Sequence, residues 1–305
     1  MSTRNRPIRP RRALPLPLPL LMLAAVSGCV TPGGGAGPEL APAALPAYHA
    51  GDVFRYDDGR EERVVAVDGD RATWETGPAF TFERSANPVM PNRVWWSATR
   101  TGTLSDLSAP ETALWPLRVG NGRWFHYRYT VAARDAPDDK TFSYNQDCAV
   151  TGTQALSGPL GTFDTYVLRC HRYSRTQAFR GTRTWYYAPA LGHVMMYVDT
   201  PSRANGRVRQ LTAVRPSLAD LAPAHRAAWS DTVQRVLETH PSGHDGAWRG
   251  PGPWRATVRP LKTFRAKAGP YCRTYRVDMV TPDRLAPALE TACRDDAGVW
   301  RRLEG

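Results

Sequence analysis

Five cysteines and seven histidines are the side chains of this sequence that could carry chemistry. A catalytic cysteine needs a thiolate beside a base, and Cys170-His171 does not provide this, because neighbouring strand residues point to opposite faces. His240 and His244 flank a turn, where two solvated histidines at a helix end explain the pattern better than metal binding. Motifs such as Gly-x-Ser-x-Gly, His-Glu-x-x-His or a phosphate-binding glycine loop do not occur. We therefore expect no catalytic residue, no metal and no cofactor.

Residues 1–28 have the layout of an export signal. Five arginines and no acidic residue lie in this segment, whose apolar run, Leu14–Val26, is too short to anchor in a bilayer. The run ends in Val26-Ser27-Gly28-Cys29, a tetrapeptide that resembles the lipobox of bacterial lipoproteins. The resemblance implies cleavage before Cys29 and attachment of fatty acids such as palmitate to its thiol and new amino group. The alternative is an ordinary signal peptide with an incidental cysteine after it.

The export signal also decides how the other four cysteines are interpreted. An even number of cysteines in an exported chain predicts disulfide bonds, and four cysteines allow three pairings that the sequence does not strictly separate. The local pairs Cys148–Cys170 and Cys272–Cys293 are favoured because each lies inside one proposed domain and closes a loop of about 20 residues. Zinc is the rival interpretation, but the cysteines lack the Cys-x-x-Cys spacing of a zinc site.

The formal net charge of +12 overstates the charge of the mature chain. Five arginines leave with residues 1–28 and no acidic residue does, so the mature chain carries +7. Arginine dominates this surplus without forming a dense run of like charges, which argues against nucleic acid as a partner. We expect contact with a membrane through the lipid anchor, and with envelope polymers or other envelope proteins.

The mature chain divides into three parts. Residues 29–47 are mostly proline, glycine and alanine, a composition that predicts a flexible tether. Residues 48–215 contain roughly ten to twelve short β-like stretches separated by turns such as Asp68-Gly69, which predicts an antiparallel β-sandwich or barrel-like domain. Residues 216–305 begin with a linking helix predicted over 224–239. The chain is therefore expected to be mainly β.

The C-terminal part carries a more specific resemblance. The residues that carry it are, in order, Val233–Glu238, Ser242-Gly243, Trp248, Val258–Pro260, Tyr271–Tyr275, Ala292–Arg294 and Gly298–Trp300. They resemble the surface-antigen domain of small outer-membrane lipoproteins, the seventeen-kilodalton surface antigen family, over about 70 residues. A domain of that size rarely buries enough area to be stable alone, so a disulfide-stapled β domain is physically reasonable. The segment Thr281–Pro287 departs from the family, which has a simple turn between the cysteines.

These features predict a non-catalytic, lipid-anchored cell-envelope protein with a structural or interaction role. In lipoprotein systems that resemble this one, an aspartate after the lipidated cysteine marks retention in the inner membrane. Val30 and Thr31 follow Cys29 here, so the outer membrane is the expected location.

Two other functions stay open. One is a ligand-binding module whose larger β domain holds a lipid or glycan. A deep apolar cavity, or an exposed row of tryptophans, would favour it, although core packing is the usual role of tryptophan in alternating strands. The other is an enzyme, which requires scattered polar residues to converge in one cleft. The tryptophans and the histidines concerned are Trp95, Trp115, Trp124, His126, His171 and His193.

Overall fold

The computed structural model describes residues 37–135, 138–267 and 269–303. The export signal, Cys29 and the first part of the predicted tether lie outside the described residues. Within the described ranges, no helix has both the length and the apolar character needed to cross a membrane.

Antiparallel strands form a closed barrel between residues 53 and 215. The strands are β1 (Val53–Tyr56), β2 (Glu61–Asp68), β3 (Arg71–Thr76), β4 (Thr81–Ser85), β5 (Val94–Trp96), β6 (Arg100–Leu107), β7 (Gly122–Ala133), β8 (Lys140–Gly158), β9 (Gly161–Ser174), β10 (Phe179–Ala188), β11 (His193–Pro201) and β12 (Arg207–Arg215). Each pairs with the next along the chain, and β12 returns to pair with β1. The prediction of a mainly β chain with a sandwich or barrel-like domain is confirmed, and closure leaves no unpaired edge in the barrel.

The longest strand, β8, has more residues than the sequence predicted. The sequence indicated a short strand over Cys148–Thr151, whereas β8 has 19 residues and pairs along its length with β7 and β9. Phe142 and Tyr144 continue the alternation before Cys148, whereas the residues after Thr151 are mostly Thr, Gln, Ser and Gly and give no apolar alternation. Cross-strand pairing with β9, and not side-chain hydrophobicity, therefore extends the second half of this strand.

Residues 38–47 lie against the barrel, so the prediction of a flexible tether is wrong for this part of the chain. Ala43 and Leu117 form an isolated antiparallel bridge with hydrogen bonds in both directions. The Tyr166 hydroxyl donates to the backbone carbonyl of Leu40 at 3.1 Å. These contacts use backbone groups, which a proline- and alanine-rich composition does not reveal.

A helix and a second antiparallel sheet follow the barrel. Helix α1 spans Pro223–Thr239, one residue longer than the prediction, and proline occupies its first turn. The strands are β13 (Gly246–Arg249), β14 (Arg255–Arg265), β15 (Tyr271–Val280), β16 (Leu285–Arg294) and β17 (Trp300–Arg302). The helix buries Val236 and Leu237 in the core that it shares with this sheet.

Both disulfides join residues that lie directly opposite each other on neighbouring strands. Cys148 on β8 is bonded to Cys170 on β9, and Cys272 on β15 is bonded to Cys293 on β16. These are the two local pairings that the sequence favoured. The first pair is fully buried in the barrel, and the second joins the central strand of the C-terminal sheet, β15, to its neighbour β16.

The C-terminal sheet packs directly on the barrel. Ala213 of β12 bridges Ala288 of β16, and the guanidinium of Arg215 donates to both carboxylate oxygens of Glu290 at 2.5 and 3.1 Å. One apolar cluster contains residues of the barrel, α1 and the C-terminal sheet. The two parts that the sequence separated at residues 215 and 216 therefore share a core.

The segment that departs from the surface-antigen pattern forms a tight turn. The Thr281 hydroxyl accepts hydrogen bonds from the backbone N–H groups of Asp283 and Arg284, so the turn closes within four residues. Leu285–Pro287 then belongs to β16. The turn leaves Arg284 buried beneath the barrel strands, a position that its charge alone would not predict.

Candidate functional site

One end of the barrel encloses a pocket of about 550 Å³, which we call the Arg–Tyr pocket. Side chains on a strand alternate between the two faces of the sheet, so residues two apart enter the barrel together. The arginines that line the pocket are Arg60, Arg84, Arg172, Arg183, Arg207 and Arg209. The tyrosines are Tyr56, Tyr127, Tyr129, Tyr144 and Tyr197. Glu62 and Asp199 are the carboxylates of the lining.

The pairing register of three strands builds the charged wall of the pocket. Asp199 on β11 lies opposite Arg183 on β10 and opposite Arg207 on β12. Two residues further along, Tyr197 lies between Trp185 and Arg209 in the same way. Directly opposite residues are close enough to interact. The register alone therefore produces one charged row and a second row in which two aromatic side chains lie beside Arg209.

Each carboxylate of the pocket is shared by two arginines. Asp199 accepts a hydrogen bond from Arg172 at 3.0 Å, and the Nε of Arg183 lies 3.4 Å from its other oxygen. Glu62 accepts a hydrogen bond from Arg60 at 2.8 Å, and Arg84 lies 3.8 Å from it. The carboxylates therefore neutralise only part of the positive charge in the pocket.

Three of the pocket arginines hold buried donors that have no acceptor. The Nε atoms of Arg84, Arg172 and Arg183 are inaccessible and make no hydrogen bond among the described residues. A buried polar donor without a partner costs about 1–3 kcal/mol. The barrel therefore keeps arginines whose buried Nε atoms are costly for folding.

Aromatic side chains line the rest of the pocket. Tyr127 and Tyr144 are stacked with their ring centroids 5.4 Å apart, and the rings of Trp185 and Tyr197 are 5.5 Å apart. Burial raises the pKa of Tyr127 and of Tyr197 above the usual value. Both hydroxyls therefore stay protonated at neutral pH and can donate hydrogen bonds.

His193 lies at the inner end of the pocket as a neutral, fully hydrogen-bonded side chain. Its Nδ1 is 3.0 Å from the Tyr48 hydroxyl, its Nε2 is 2.9 Å from the Tyr56 hydroxyl, and its ring stacks on Phe54. Burial lowers the pKa of His193 well below its ordinary value, and the positive charge of Arg84 adds to the shift. In a neutral imidazole one nitrogen donates and the other accepts, so both tyrosines are satisfied.

We expect the folded protein to lose stability as the pH falls below about 6.5, because only the unfolded chain then takes up a proton on His193. The pKa of His193 is depressed in the folded state, so its stabilising contribution is complete at neutral pH and is lost on acidification. The expected loss is about 1.4 kcal/mol per pH unit. Urea unfolding at pH 7, 6 and 5 measures it, with His193→Gln as the comparison. The variant should show a slope that is smaller by this amount, and equal slopes would contradict the assignment.

The other histidines named in the enzyme hypothesis lie in different surroundings. His126 contacts Asp106 at 3.1 Å, and the Nδ1 of His171 shares a hydrogen bond with Thr182. Neither lines the Arg–Tyr pocket, to which only His193 belongs. The structure therefore does not bring these three histidines into one cleft.

The three tryptophans of the glycan hypothesis do not form an exposed row. Trp95 packs against Gly102, where a Cβ atom would lie 2.2 Å from the indole ring. Trp115 donates to the carbonyl of Ala44 at 3.1 Å and packs edge-on against a barrel tyrosine. Only Trp124 of the three is largely exposed. Packing against the barrel explains the first two: Trp95 lies on β5, as expected for tryptophan in alternating strands, and Trp115 lies in the connection between β6 and β7.

The Arg–Tyr pocket is not the deep apolar cavity that would favour a lipid ligand, because arginines and carboxylates line it. A cleft of about 400 Å³ with a more apolar lining lies elsewhere, between α1 and the C-terminal sheet. Trp229, Val233 and Met279 contribute to its walls. The pocket described in the larger β domain is therefore a polar site.

The sequence did not predict the Arg–Tyr pocket. Its residues are spread from position 56 to position 209, and no two of its arginines are adjacent in the sequence. The available signal was alternation, as in Arg207-Val208-Arg209 and Tyr127-Arg128-Tyr129, where like residues stand two apart on strands. This spacing shows that such pairs share a face, but closure of the barrel is needed to show that the face is internal.

The fold and the site define a class of protein. It is a closed β-barrel fused to a helix and a small disulfide-stapled sheet, with a polar pocket of ligand size inside the barrel. Such disulfides are typical of oxidising compartments.

Known proteins are similar to part of this chain. Over 71 residues, 23% of this chain, it is 41% identical to the 17 kDa surface antigens of Rickettsia conorii and Rickettsia rickettsii, and 38% identical to that of Rickettsia prowazekii. The match covers 45% of each relative, so the chain spans less than half the length of these curated relatives. The resemblance to surface-antigen lipoproteins is therefore confirmed for this stretch.

Two further comparisons complete the picture. No family model matches the chain. A solved structure, the hypothetical lipoprotein YmcC from Escherichia coli, aligns with 59% of this chain and 92% of that one. The TM-score is 0.39 and the identity is 9%.

Proposed function

We propose that this chain is a non-catalytic, lipid-anchored protein of the outer membrane with an interaction role in the cell envelope. The observation that carries the proposal is Val26-Ser27-Gly28-Cys29 at the end of an export signal, in a chain that resembles surface antigens. The two disulfides support export, because such bonds persist outside reducing compartments. Fatty acids on both the thiol and the amino group of Cys29 would attach the protein stably, whereas one acyl chain binds a membrane only marginally.

Mass spectrometry of the mature N-terminus, combined with fractionation of cell membranes, tests the anchor. We expect the mature protein to begin at an acylated Cys29 and to sediment with the outer membrane. Cys29→Ser should lose both the acyl mass and the membrane association. Thr31→Ala is the matched control, because it changes a neighbouring residue and leaves the tetrapeptide intact. A water-soluble native protein with an unmodified Cys29 would overturn the proposal.

A second role, ligand binding by the barrel, is favoured by the Arg–Tyr pocket. Its volume of about 550 Å³ is typical of small-molecule sites, which also occur preferentially in the mouths of β-barrels. The pocket combines aromatic walls with a few charged groups that can orient a ligand. A barrel attached through Cys29 would hold this pocket in the envelope, where soluble or polymeric ligands can reach it.

A further inference from the structure

We propose that the Arg–Tyr pocket binds an acidic saccharide, with the acidic group held by Arg172 and Arg183 and the sugar ring lying against the aromatic wall. The inference rests on the ligand-binding role proposed above and names the chemical class of the ligand. It is carried by the charge balance of the pocket, by its accessible arginine donors and by its aromatic side chains.

The charge balance favours an anion. Six arginines and two carboxylates line the pocket, and one further carboxylate, Asp58, accepts a hydrogen bond from Arg209 at 2.8 Å. These groups, six positive and three negative, therefore carry a net charge of +3. A concave site with one sign of charge attracts ligands of the opposite sign more strongly than a flat surface does.

The accessible arginine donors favour a ligand with oxygen acceptors. Arg172 and Arg183 already share Asp199, and their Nε atoms are buried out of a ligand's reach. The side chain of Arg183 is 32% exposed, and its Nη groups make no hydrogen bond among the described residues. A guanidinium group presents several donors in a fixed fork that matches the two oxygens of a carboxylate. A carboxylate or phosphate group of a ligand can use donors that Asp199 leaves free.

The aromatic side chains of the pocket favour a saccharide over a bare ion. A single inorganic anion would fill little of the 550 Å³, whereas a sugar unit can extend from the arginines to the rings of Trp185 and Tyr197. Flat aromatic faces pack on the C–H faces of sugar rings, and protonated tyrosine hydroxyls donate to sugar oxygens. The half-buried side chains of Tyr144 and Tyr197 can provide both kinds of contact, whereas the Tyr129 hydroxyl already donates to the backbone carbonyl of Asn92.

Isothermal titration calorimetry on the purified full chain at low ionic strength tests the proposal. The probes are trigalacturonate, a carboxylated sugar trimer, maltotriose, a neutral trimer, and inorganic phosphate. We expect trigalacturonate to bind, to bind less tightly as salt is added, and to bind at least about tenfold more tightly than the other two probes.

Variants connect binding to the pocket. Arg172→Gln and Arg183→Gln should each weaken trigalacturonate binding by about 10- to 100-fold, the range for a hydrogen bond to a charged group. Arg183→Lys keeps the charge and loses the fork, so it should give an intermediate affinity. Arg169→Gln is the matched control, because it removes the same charge from the exposed face of β9 and should change affinity less than about twofold. Thermal unfolding of each variant verifies that it remains folded.

The outcomes separate the ligand class from the ligand-binding role. Equal binding of maltotriose would overturn the acidic class and leave the ligand-binding role intact. Equal binding of phosphate would overturn the saccharide part, since the pocket would then recognise a bare anion. Absence of binding by all three probes would overturn the inference and the ligand-binding role together, while lipidation of Cys29 would be unaffected. An equal loss of affinity in Arg169→Gln would also overturn the assignment to this pocket.

Discussion

Replacing Arg284 with leucine is expected to destabilise the protein by about 3–5 kcal/mol, because it leaves a buried carboxylate without its cation. Arg284 donates to Asp52 at 3.0 Å, and the side chains of the two residues are 2% and 1% exposed. Arg284 also donates to the backbone carbonyl of Ala47, and its guanidinium lies 5.7 Å from the centre of the Tyr48 ring. The substitution therefore removes contacts between the C-terminal turn and the segment that enters β1.

Asp52, the partner of Arg284, is the reason why losing the guanidinium destabilises the protein strongly. Asp52 also accepts hydrogen bonds from the backbone N–H groups of His49 and Ser217. It is therefore held in place by one residue that precedes β1 and by one that follows β12. These neutral donors do not replace the positive charge of the guanidinium. Leaving one ion of a buried pair uncompensated is more destabilising than removing both ions.

Equilibrium unfolding in urea measures this effect. Arg259→Leu is the matched control, since Arg259 donates to both oxygens of Asp245 in a pair whose side chains are 50% and 42% exposed. Exposed pairs contribute about 0–1 kcal/mol, so the control should stay close to the original protein. The double variant Arg284→Leu with Asp52→Leu should recover part of the loss. Comparable small effects in Arg284→Leu and Arg259→Leu would refute the role given to the buried pair.

The contact of Arg284 with the barrel also shows what the sequence could predict and what it could not. The two Cys-Arg pairs and the final Gly-x-Trp led to the surface-antigen resemblance and to a small stapled sheet. The departure over Thr281–Pro287 marked a loop without indicating its purpose. In the structure this departure contains Arg284, which makes the contact with the barrel. A family pattern describes the isolated domain, so it carries no information about a contact with another part of the chain.

Features that depend on residues close together in the sequence could be predicted. Asp68-Gly69 indicated a hairpin turn, and Gly69 has the positive φ, 59°, that such a turn needs. The helix followed from short-range spacing in the same way, and the local disulfide pairs were favoured because each lay inside one proposed domain. Closure of the barrel did not, because the pairing of β1 with β12 joins residues about 160 positions apart through backbone groups that every residue has.

The Arg–Tyr pocket could not be predicted for a related reason. An arginine on an alternating strand is normally a solvated residue on the outer face, and this remains the better expectation for each pocket arginine taken alone. His193 shows the same limit, since its partners Tyr48 and Tyr56 precede it by 145 and 137 positions. Long-range register converts separate polar residues into a site, and the register is a property of the closed sheet.

Truncating Trp74 to alanine is expected to destabilise the protein by about 3 kcal/mol, the lower end of the range for a buried tryptophan. Its side chain is fully buried between Tyr48, Phe54 and Phe82, and the Arg84 guanidinium lies 4.8 Å from its ring centre. The indole Nε1 is buried and makes no hydrogen bond among the described residues, so its removal relieves a cost. The expected loss is therefore the packing and cavity contribution reduced by that relief.

Trp124→Ala is the matched control, because Trp124 is 52% exposed on strand β7 of the same barrel. Surface substitutions usually change stability by less than about 0.5 kcal/mol, so urea unfolding should separate the two variants clearly. Trp74→Phe should recover much of the loss, since it keeps an aromatic ring and removes the unpaired N–H group. If Trp74→Ala proved no more destabilising than Trp124→Ala, the aromatic cluster around His193 would not be the packed centre of the barrel, and the expected pH dependence of stability would also lose its basis.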